Sequence, residues 1–187
     1  MRKLLQLLVV ACFLTLSAGM AFANSEKVTV AEGADLTNVH RLAIAMPLYT
    51  PAAKDEPTKE QVAQAIYDAH TVARAYILSY SDIVADIKKE DNIDLSALDR
   101  KQAAKAFQEH VAQFADAYVV TTVANNSRTV FFYDVYRAGT NQLLYSYQIV
   151  ANNSQPNTVE TFEQLSEQFY KNFERSVQKQ LKADKKA

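Results

Sequence analysis

The chain has 187 residues, of which 49% are hydrophobic, and its 20 basic and 21 acidic side chains give a formal net charge of −1. This balance argues against a nucleic-acid-binding protein, because contact with phosphates along a nucleic acid requires a strongly basic face. Cys12 is the single cysteine and the chain has three glycines. Intramolecular disulfides are therefore excluded, and glycine-rich phosphate loops have too few glycines to be expected.

Residues 1–23 have the three parts of a secretory signal peptide. Arg2 and Lys3 precede an apolar run from Leu4 to Leu16, and the segment ends in Ala21-Phe22-Ala23, an A-x-A cleavage site. The run is shorter than the about 20 residues of a membrane span, so we expect cleavage after Ala23 and no stable transmembrane segment afterwards. An uncleaved N-terminal anchor is one alternative. Lipidation at Cys12 is another, disfavoured because it would leave an apolar stretch at the new terminus.

The first third of the remaining chain predicts two strands and a helix. Residues 24–38 form a leader or an edge strand, and the apolar run Arg41–Pro47 predicts a buried strand that proline closes. Residues 48–57 contain two prolines and three charged side chains, which is typical of an exposed loop. Thr58 then begins a capping-box motif, and the helix after it has apolar residues at helical spacing.

The middle of the chain predicts short elements. Residues 75–80 are rich in strand-forming side chains and predict a strand, although the helical period also continues through them. Ser81 is the predicted N-cap of a helix from Asp82 to Lys89. A polar turn at residues 90–94 then leads to a further helix from about Asp99 to Phe114.

The last third has the clearest pattern. Three apolar stretches, at 117–123, 128–136 and 143–150, are separated by turn residues and predict a three-strand antiparallel meander. A helix at residues 159–181 follows Pro156 and carries apolar side chains every three or four positions, which requires a sheet or helix to cover them. Residues 182–187 form a charged tail.

The order of these elements predicts an α/β (α+β) two-layer sandwich. Its sheet is expected to be mixed and mostly antiparallel, with the three-strand meander and a long C-terminal amphipathic helix. Residues 39–181 are expected to form one α/β domain.

Several of these segments resemble a known family. They are the strand Arg41–Pro47, the phrase Asp82–Ile87, the strand start Ala115–Val120 and a hairpin with Gly139 in its turn. Together they resemble the anticodon-binding-domain-like module shared by the curli secretion channel CsgG, the penicillin-binding-protein activator LpoB and the N-terminal domain of TolB. The resemblance covers roughly residues 39–181. It implies a non-catalytic envelope protein, and it carries over no functional residue because the family has no shared catalytic motif.

The sequence shows no catalytic, cofactor-binding or metal-binding constellation. His40, His70 and His110 have no metal-ligand spacing, and an acidic stretch at 90–94 lacks the glycine and the terminal glutamate of a calcium loop. No serine lies in a G-x-S-x-G elbow. We therefore predict no catalytic residue, no cofactor and no metal.

Tyrosines in the meander are the candidate partner-binding face. The second and third strands of the meander contain four tyrosines, Tyr133, Tyr136, Tyr145 and Tyr147, and tyrosine is common at protein interfaces. The alternative is that helices cover this side of the sheet. The phrase Val-Ala-Asn-Asn-Ser also occurs twice, at 123–127 and 150–154, which favours turn chemistry over a binding rim.

These features predict an exported, non-enzymatic cell-envelope protein that is periplasmic or extracellular. It would act as a protein-interaction or assembly module whose partner is another envelope protein or a second copy of itself. The alternatives are a small secreted hydrolase, and a lipid or small-ligand carrier in which the long helix acts as a lid.

Overall fold

The computed structural model describes residues 24–125 and 128–185; the predicted signal peptide, its cleavage site and Cys12 lie outside them. The strands are β1 Ser25–Val30, β2 Arg41–Ile44, β3 Tyr76–Leu78, β4 Ala117–Asn125, β5 Thr129–Arg137 and β6 Leu143–Val150. The helices are α1 Lys59–Asp68, α2 Tyr80–Asp91, α3 Arg100–His110 and α4 Val159–Asp184, with short 3-10 turns at Ala69–Val72, Leu95–Ala97 and Val111–Gln113. Each described helix is too short or too polar to cross a membrane.

All six strands form one sheet in the order β1-β6-β5-β4-β2-β3. The pairs β1–β6, β6–β5 and β5–β4 are antiparallel, whereas β2 runs parallel to both β4 and β3. This arrangement confirms the predicted α+β fold, with its mixed and mostly antiparallel sheet, its meander and its long C-terminal helix.

Helices α1 and α4 cover the first face of the sheet and form the larger core. The apolar stripe of α4 buries Phe162, Leu165, Phe169 and Phe173 against the meander. The Phe169 ring stacks on Tyr133 with ring centroids 4.5 Å apart. The meander strands have large apolar side chains on this face, and their burial supplies the driving force that holds α4 in place.

Helices α2 and α3 cover only part of the second face. They pack over β3, β2 and the start of β4, where Ala43, Leu78 and Tyr118 are buried. Farther along the meander, neither α2 nor α3 makes substantial contact with β5 or β6. We call this region the open face; it carries the partly exposed side chains Thr122, Val130, Phe132, Gln148 and Val150.

Three local predictions need correction or resolution. The N-cap of α2 is Ser79 and not Ser81, because the Ser79 hydroxyl accepts a hydrogen bond from the Asp82 amide at 3.1 Å and the helix begins at Tyr80. Residues 76–78 form strand β3, since pairing with β2 in a parallel register outweighs the helical period. The expected loop 48–57 is not wholly exposed, because Leu48 pairs with Thr122 of β4 and Tyr49 is buried.

Candidate functional site

A cleft of about 710 Å³ opens on the second face of the sheet, beside the end of β2. Its walls are the segment 45–50, the start of α2, the turn 95–98 and one side of α3, and its base is the start of β4. We call it the apolar cleft. Its apolar lining comprises Ala45, Met46, Pro47, Leu48, Tyr49, Tyr80, Leu95, Leu98, Ala103, Ala104, Phe107, Tyr118 and Val120.

The cleft exists because the chain after β2 follows β4 alone. The Ala45 amide donates to the Val119 carbonyl at 3.0 Å, and the Leu48 amide donates to the Thr121 carbonyl at 2.8 Å. Three residues of this segment therefore span two residues of β4, which is a bulge at Met46-Pro47. On the other side, β3 has already ended and turned into α2, so no strand of the described residues lies beside the segment and the cleft fills that space.

Three aromatic rings form the base of the apolar cleft. Phe107 stacks on Tyr80 with ring centroids 5.8 Å apart, and it meets Tyr118 edge to face at 6.0 Å. Phe107 and Tyr118 are almost fully buried, whereas Tyr80 is partly exposed. Burial raises the pKa of Tyr118 to about 12, so its hydroxyl is neutral at physiological pH and donates to the Asn141 side chain at 2.8 Å. The partly exposed Tyr80 is therefore the ring of this cluster most accessible to a ligand, and the two buried rings hold it in place.

Polar groups line the rim of the apolar cleft. The Lys59 ammonium and the Glu60 carboxylate lie 3.8 Å apart, but both are more than half exposed and their attraction is weak. Arg100, at the start of α3, forms no ion pair with any residue that the structure describes. Among the described residues, Glu60 is the single carboxylate of the lining and no histidine belongs to it. The arrangement therefore suits apolar contact beside a cationic rim.

Glu56 holds the wall of the cleft that contains Tyr49 and Thr50. Its carboxylate accepts hydrogen bonds from the Tyr49 hydroxyl at 3.1 Å and from the Ala52 amide at 2.7 Å. It also accepts from the side-chain amides of Asn125, at the end of β4, and Asn157, before α4, each at 2.7 Å. Burial raises the pKa of Glu56, but these hydrogen bonds outweigh it and lower the pKa below its ordinary value. Glu56 thus ties the wall to two distant parts of the chain.

The expectation of an exposed tyrosine face does not hold for Tyr133, Tyr145 and Tyr147, which are fully buried beneath α4. The Tyr133 hydroxyl lies 2.9 Å from the Ser166 hydroxyl, and Tyr147 donates to Glu26 at 2.5 Å. Burial raises the pKa of all three tyrosines well above the ordinary value. In the described chain these rings are part of the core and are sealed from a partner.

Tyr136 lies on the opposite face from the other three tyrosines. Side chains alternate along β5, and Tyr133 and Tyr136 are three positions apart. Tyr136 is partly exposed and stacks on Tyr118 with ring centroids 5.5 Å apart. Tyr136 is therefore not part of the lining of the apolar cleft, but it packs against Tyr118, which is.

The histidines lie apart, and the described residues contain no cluster of three metal-ligating side chains. His110 contacts Asp91 at 2.8 Å at the end of α3. In the acidic stretch, the Lys88 ammonium and the Ser96 hydroxyl and amide bond to Asp94 and lower its pKa to about 2. Asp94 therefore caps the turn at Leu95–Ala97.

The sequence did not indicate the cleft residues Leu48, Tyr49, Phe107 and Tyr118 as a group. Each belongs to a different element or loop, and the fold alone brings them together. One local signal was available: Leu48-Tyr49 extends the apolar run of β2 beyond Pro47, which indicates that the chain stays against the sheet there.

Comparison with known proteins gives weak similarities. No family model and no curated protein sequence matches the chain. Among solved structures, the LpoB C-terminal domain from Escherichia coli matches with a TM-score of 0.46 and 11% identity, over 67% of this chain and 88% of that one. The PelC dodecamer from Paraburkholderia phytofirmans has a TM-score of 0.38 and 6% identity, over 78% and 94%. A hypothetical protein from Chlamydia trachomatis has a TM-score of 0.36 and 9% identity, over 76% and 96%.

Proposed function

We propose that this chain is an exported, non-enzymatic cell-envelope protein that binds another protein through the apolar cleft. The observation that carries the proposal is the cleft itself, which has an aromatic base, mostly apolar walls and a cationic rim. Export is supported by the signal-peptide pattern of residues 1–23.

The extent of the apolar surface favours a protein as the occupant. Val120 lies in the cleft lining and pairs with Asp134 of β5, and the next pair on the same face of these strands, Thr122 and Phe132, belongs to the open face. The accessible surface thus continues from the cleft onto the uncovered part of the sheet, where Phe132 and polar side chains such as Thr122 lie side by side. A small molecule would fill the cleft alone, whereas a protein segment can occupy the cleft and rest on the open face.

The rim indicates which side chains the partner would carry. Arg100 is unpaired among the described residues, and Lys59 is held only by its exposed contact with Glu60. A partner segment with aliphatic or aromatic side chains and an adjacent carboxylate would match both the base and the rim. Its carboxylate would face the Arg100 guanidinium, the side chain best shaped for a paired hydrogen bond to an oxyanion.

A lipid or small-ligand carrier is the second candidate. A cleft of about 710 Å³ has the size of a small-molecule pocket. Helix α4 would not be its lid, because the apolar stripe of α4 is packed on the opposite face of the sheet. A hydrolase receives less support, because the described lining brings Glu60 near no histidine or second carboxylate.

The test uses two substitutions at exposed positions of the cleft, so that the fold is preserved. Leu48 is 41% exposed, and Ala104 is an exposed residue of α3 in the cleft lining. Leu48→Glu and Ala104→Glu each place a carboxylate in the apolar site. Ala85→Glu is the matched control, because Ala85 is exposed on α2 and outside the lining.

Partners would be crosslinked in the native envelope, identified, and their binding measured again with both proteins purified. We expect each cleft variant to weaken the purified complex by about tenfold or more, as for loss of an interface hot spot, and the control to bind normally. Equal binding by the cleft variants and the parent protein would contradict the proposal. A tightly bound lipid or metabolite in native mass spectra, lost in both cleft variants, would establish the second candidate instead.

A further inference from the structure

A second surface feature, on the opposite face of the sheet from the apolar cleft, concentrates positive charge. It is a shallow groove of about 640 Å³ between the last turns of α4 and the segment before β3. We call it the basic groove; its cationic residues are Arg74, Arg175, Lys179 and Lys182. The protein as a whole has a net charge of −1, so this cluster is a marked local departure from the average surface.

The fold places these cations on one line. Arg175, Lys179 and Lys182 follow one another at spacings of four and three residues, and therefore share a face of α4. Arg74 joins them from the other side, because its backbone amide donates to the Glu174 carboxylate at 2.7 Å. All four side chains are exposed to solvent.

These cations are not neutralised by the residues that the structure describes. None of the four takes part in an ion pair, although Lys171, on the same helix, pairs with Glu167 at 2.8 Å. The helix dipole favours cations in the last turn and thereby accounts for Lys182. It does not account for Arg175, more than two turns before the end, or for Arg74, which is outside the helix.

The groove also contains polar atoms that lack partners. Glu174 Oε2 and Gln178 Nε2 are buried, and neither has a hydrogen-bond partner among the described residues. A buried polar group without a partner is costly, so a ligand that satisfies it gains affinity. The groove thus offers one amide donor and one oxygen of the Glu174 carboxylate beside four cations, so positive charge still prevails in its lining. A hydrogen phosphate group can satisfy both, because it has acceptor oxygens and one hydroxyl.

We propose that the basic groove binds phosphate groups. Two guanidinium groups provide the forked donors that match phosphate oxygens, and two ammonium groups add charge. The eight residues from Arg175 to Lys182 span about 10 Å of helix, which is enough for more than one phosphate group. The proposed ligand is a molecule or surface that presents two or more phosphates. This site is independent of the partner that the apolar cleft would bind.

Two probes distinguish the sources of phosphate. Inorganic pyrophosphate, titrated calorimetrically at low ionic strength, represents a soluble ligand. Phosphatidylglycerol vesicles, compared with phosphatidylcholine vesicles in co-sedimentation, represent a lipid surface. The test variant is Arg175→Gln/Lys179→Gln. The matched control is Lys101→Gln/Lys105→Gln on α3, which removes the same charge from exposed residues outside the groove.

We expect the groove variant to bind at least about tenfold more weakly than the parent, and the control variant to bind with unchanged affinity. Binding to pyrophosphate alone would identify a soluble ligand, and binding to anionic vesicles alone would identify a lipid headgroup; either supports the proposal. Unaltered circular dichroism would show that the variants are folded.

Three results would overturn the proposal. One is the absence of binding to both probes at low ionic strength, and another is an equal loss of binding in the control. The third is salt-sensitive self-association in sedimentation velocity that the groove variant abolishes. In that case the basic groove would meet the acidic patch of a second copy, which contains Asp68, Glu160, Glu163 and Glu167.

Discussion

Replacement of Glu56 is the most informative perturbation of the described structure. The carboxylate accepts four hydrogen bonds, and their donors come from the cleft wall, from Asn125 and from Asn157. Glu56→Ala leaves all four donors without this acceptor. Glu56→Gln keeps one side-chain oxygen but places an amide donor against other donors, so we expect it to lose about half of the stabilisation.

The magnitude follows from the nature of these bonds. A hydrogen bond to a charged group contributes about 1.5–3 kcal/mol when it is buried, but Glu56 is partly exposed and water can replace some of the lost bonds. We therefore expect Glu56→Ala to lower the free energy of unfolding by about 3 kcal/mol. For a domain of this size, each kcal/mol lowers Tm by about 2–4 °C, which gives a decrease of about 6–12 °C.

The assay is thermal unfolding of the parent and both variants, followed by circular dichroism between pH 7 and pH 3. The pKa of Glu56 in the fold lies below its ordinary value of 4.5, so its stabilisation is fully present above pH 4.5. This stabilisation is lost as the pH falls through the lowered folded-state pKa. The difference in Tm between the parent and Glu56→Gln should therefore shrink towards the acid end.

Asp55→Ala is the control, because Asp55 is the exposed neighbour of Glu56 and makes no hydrogen bond through its side chain among the described residues. It should change stability by less than about 0.5 kcal/mol. Because the expected decrease in Tm is about 6–12 °C, a Tm for Glu56→Ala within about 2 °C of the parent would refute the reasoning. So would a Tm difference between the parent and Glu56→Gln that stays constant with pH.

Two further predictions concern the core under α4. Phe169→Ala should destabilise the protein by about 3–5 kcal/mol in chemical denaturation, because Phe169 is fully buried against Tyr133; a loss below 1 kcal/mol would contradict this packing. Stability should also decline above pH 10. Burial raises the folded-state pKa of Tyr118 to about 12, and that of Tyr147 further, so protonated tyrosines stabilise the fold below pH 10 and this is lost at higher pH. Tyrosinate absorbance should rise together with unfolding, and full ionisation in a folded protein would exclude this explanation.

The meander and the last helix were predictable because their signals are local. The turn between β5 and β6 contains Gly139 and Asn141, both in the left-handed region with φ of 80° and 56°, a conformation that these two residue types tolerate best. The apolar period of α4 runs through most of its length, and Pro156 precedes its start. Neither feature depends on distant parts of the chain.

The exposure of the tyrosines was not predictable from the alternation of side chains along the strands. Both faces of β5 carry large apolar side chains, so the sequence separates Tyr133 from Tyr136 but does not say which face a helix covers. That choice depends on where α4 packs, which is a contact between residues far apart in the chain. In the structure α4 covers the Tyr133 face, and the other face is only partly covered.

The apolar cleft was not predictable from the sequence for a related reason. Residues 48–57 have the prolines and charges of an exposed loop, and these features agree with the exposed turn at its outer end. What they do not show is the Glu56 carboxylate turned inward, where side-chain amides from the end of β4 and from the segment before α4 donate to it. A charged residue in a loop is ordinarily solvated, and only the fold distinguishes one that fastens the loop.

The placement of the two proposed sites follows from the partial covering of the sheet. Helix α4 is long enough to cover the first face and to extend beyond it, so its last turns present cations beside Arg74. Helices α2 and α3 are shorter and cover only β3, β2 and the start of β4, which leaves the apolar cleft and the open face accessible. Because the sheet separates the two sites, a protein in the cleft and phosphate in the groove would not exclude each other sterically. The phosphate affinity of a complex with the cleft occupied should therefore equal that of the free protein.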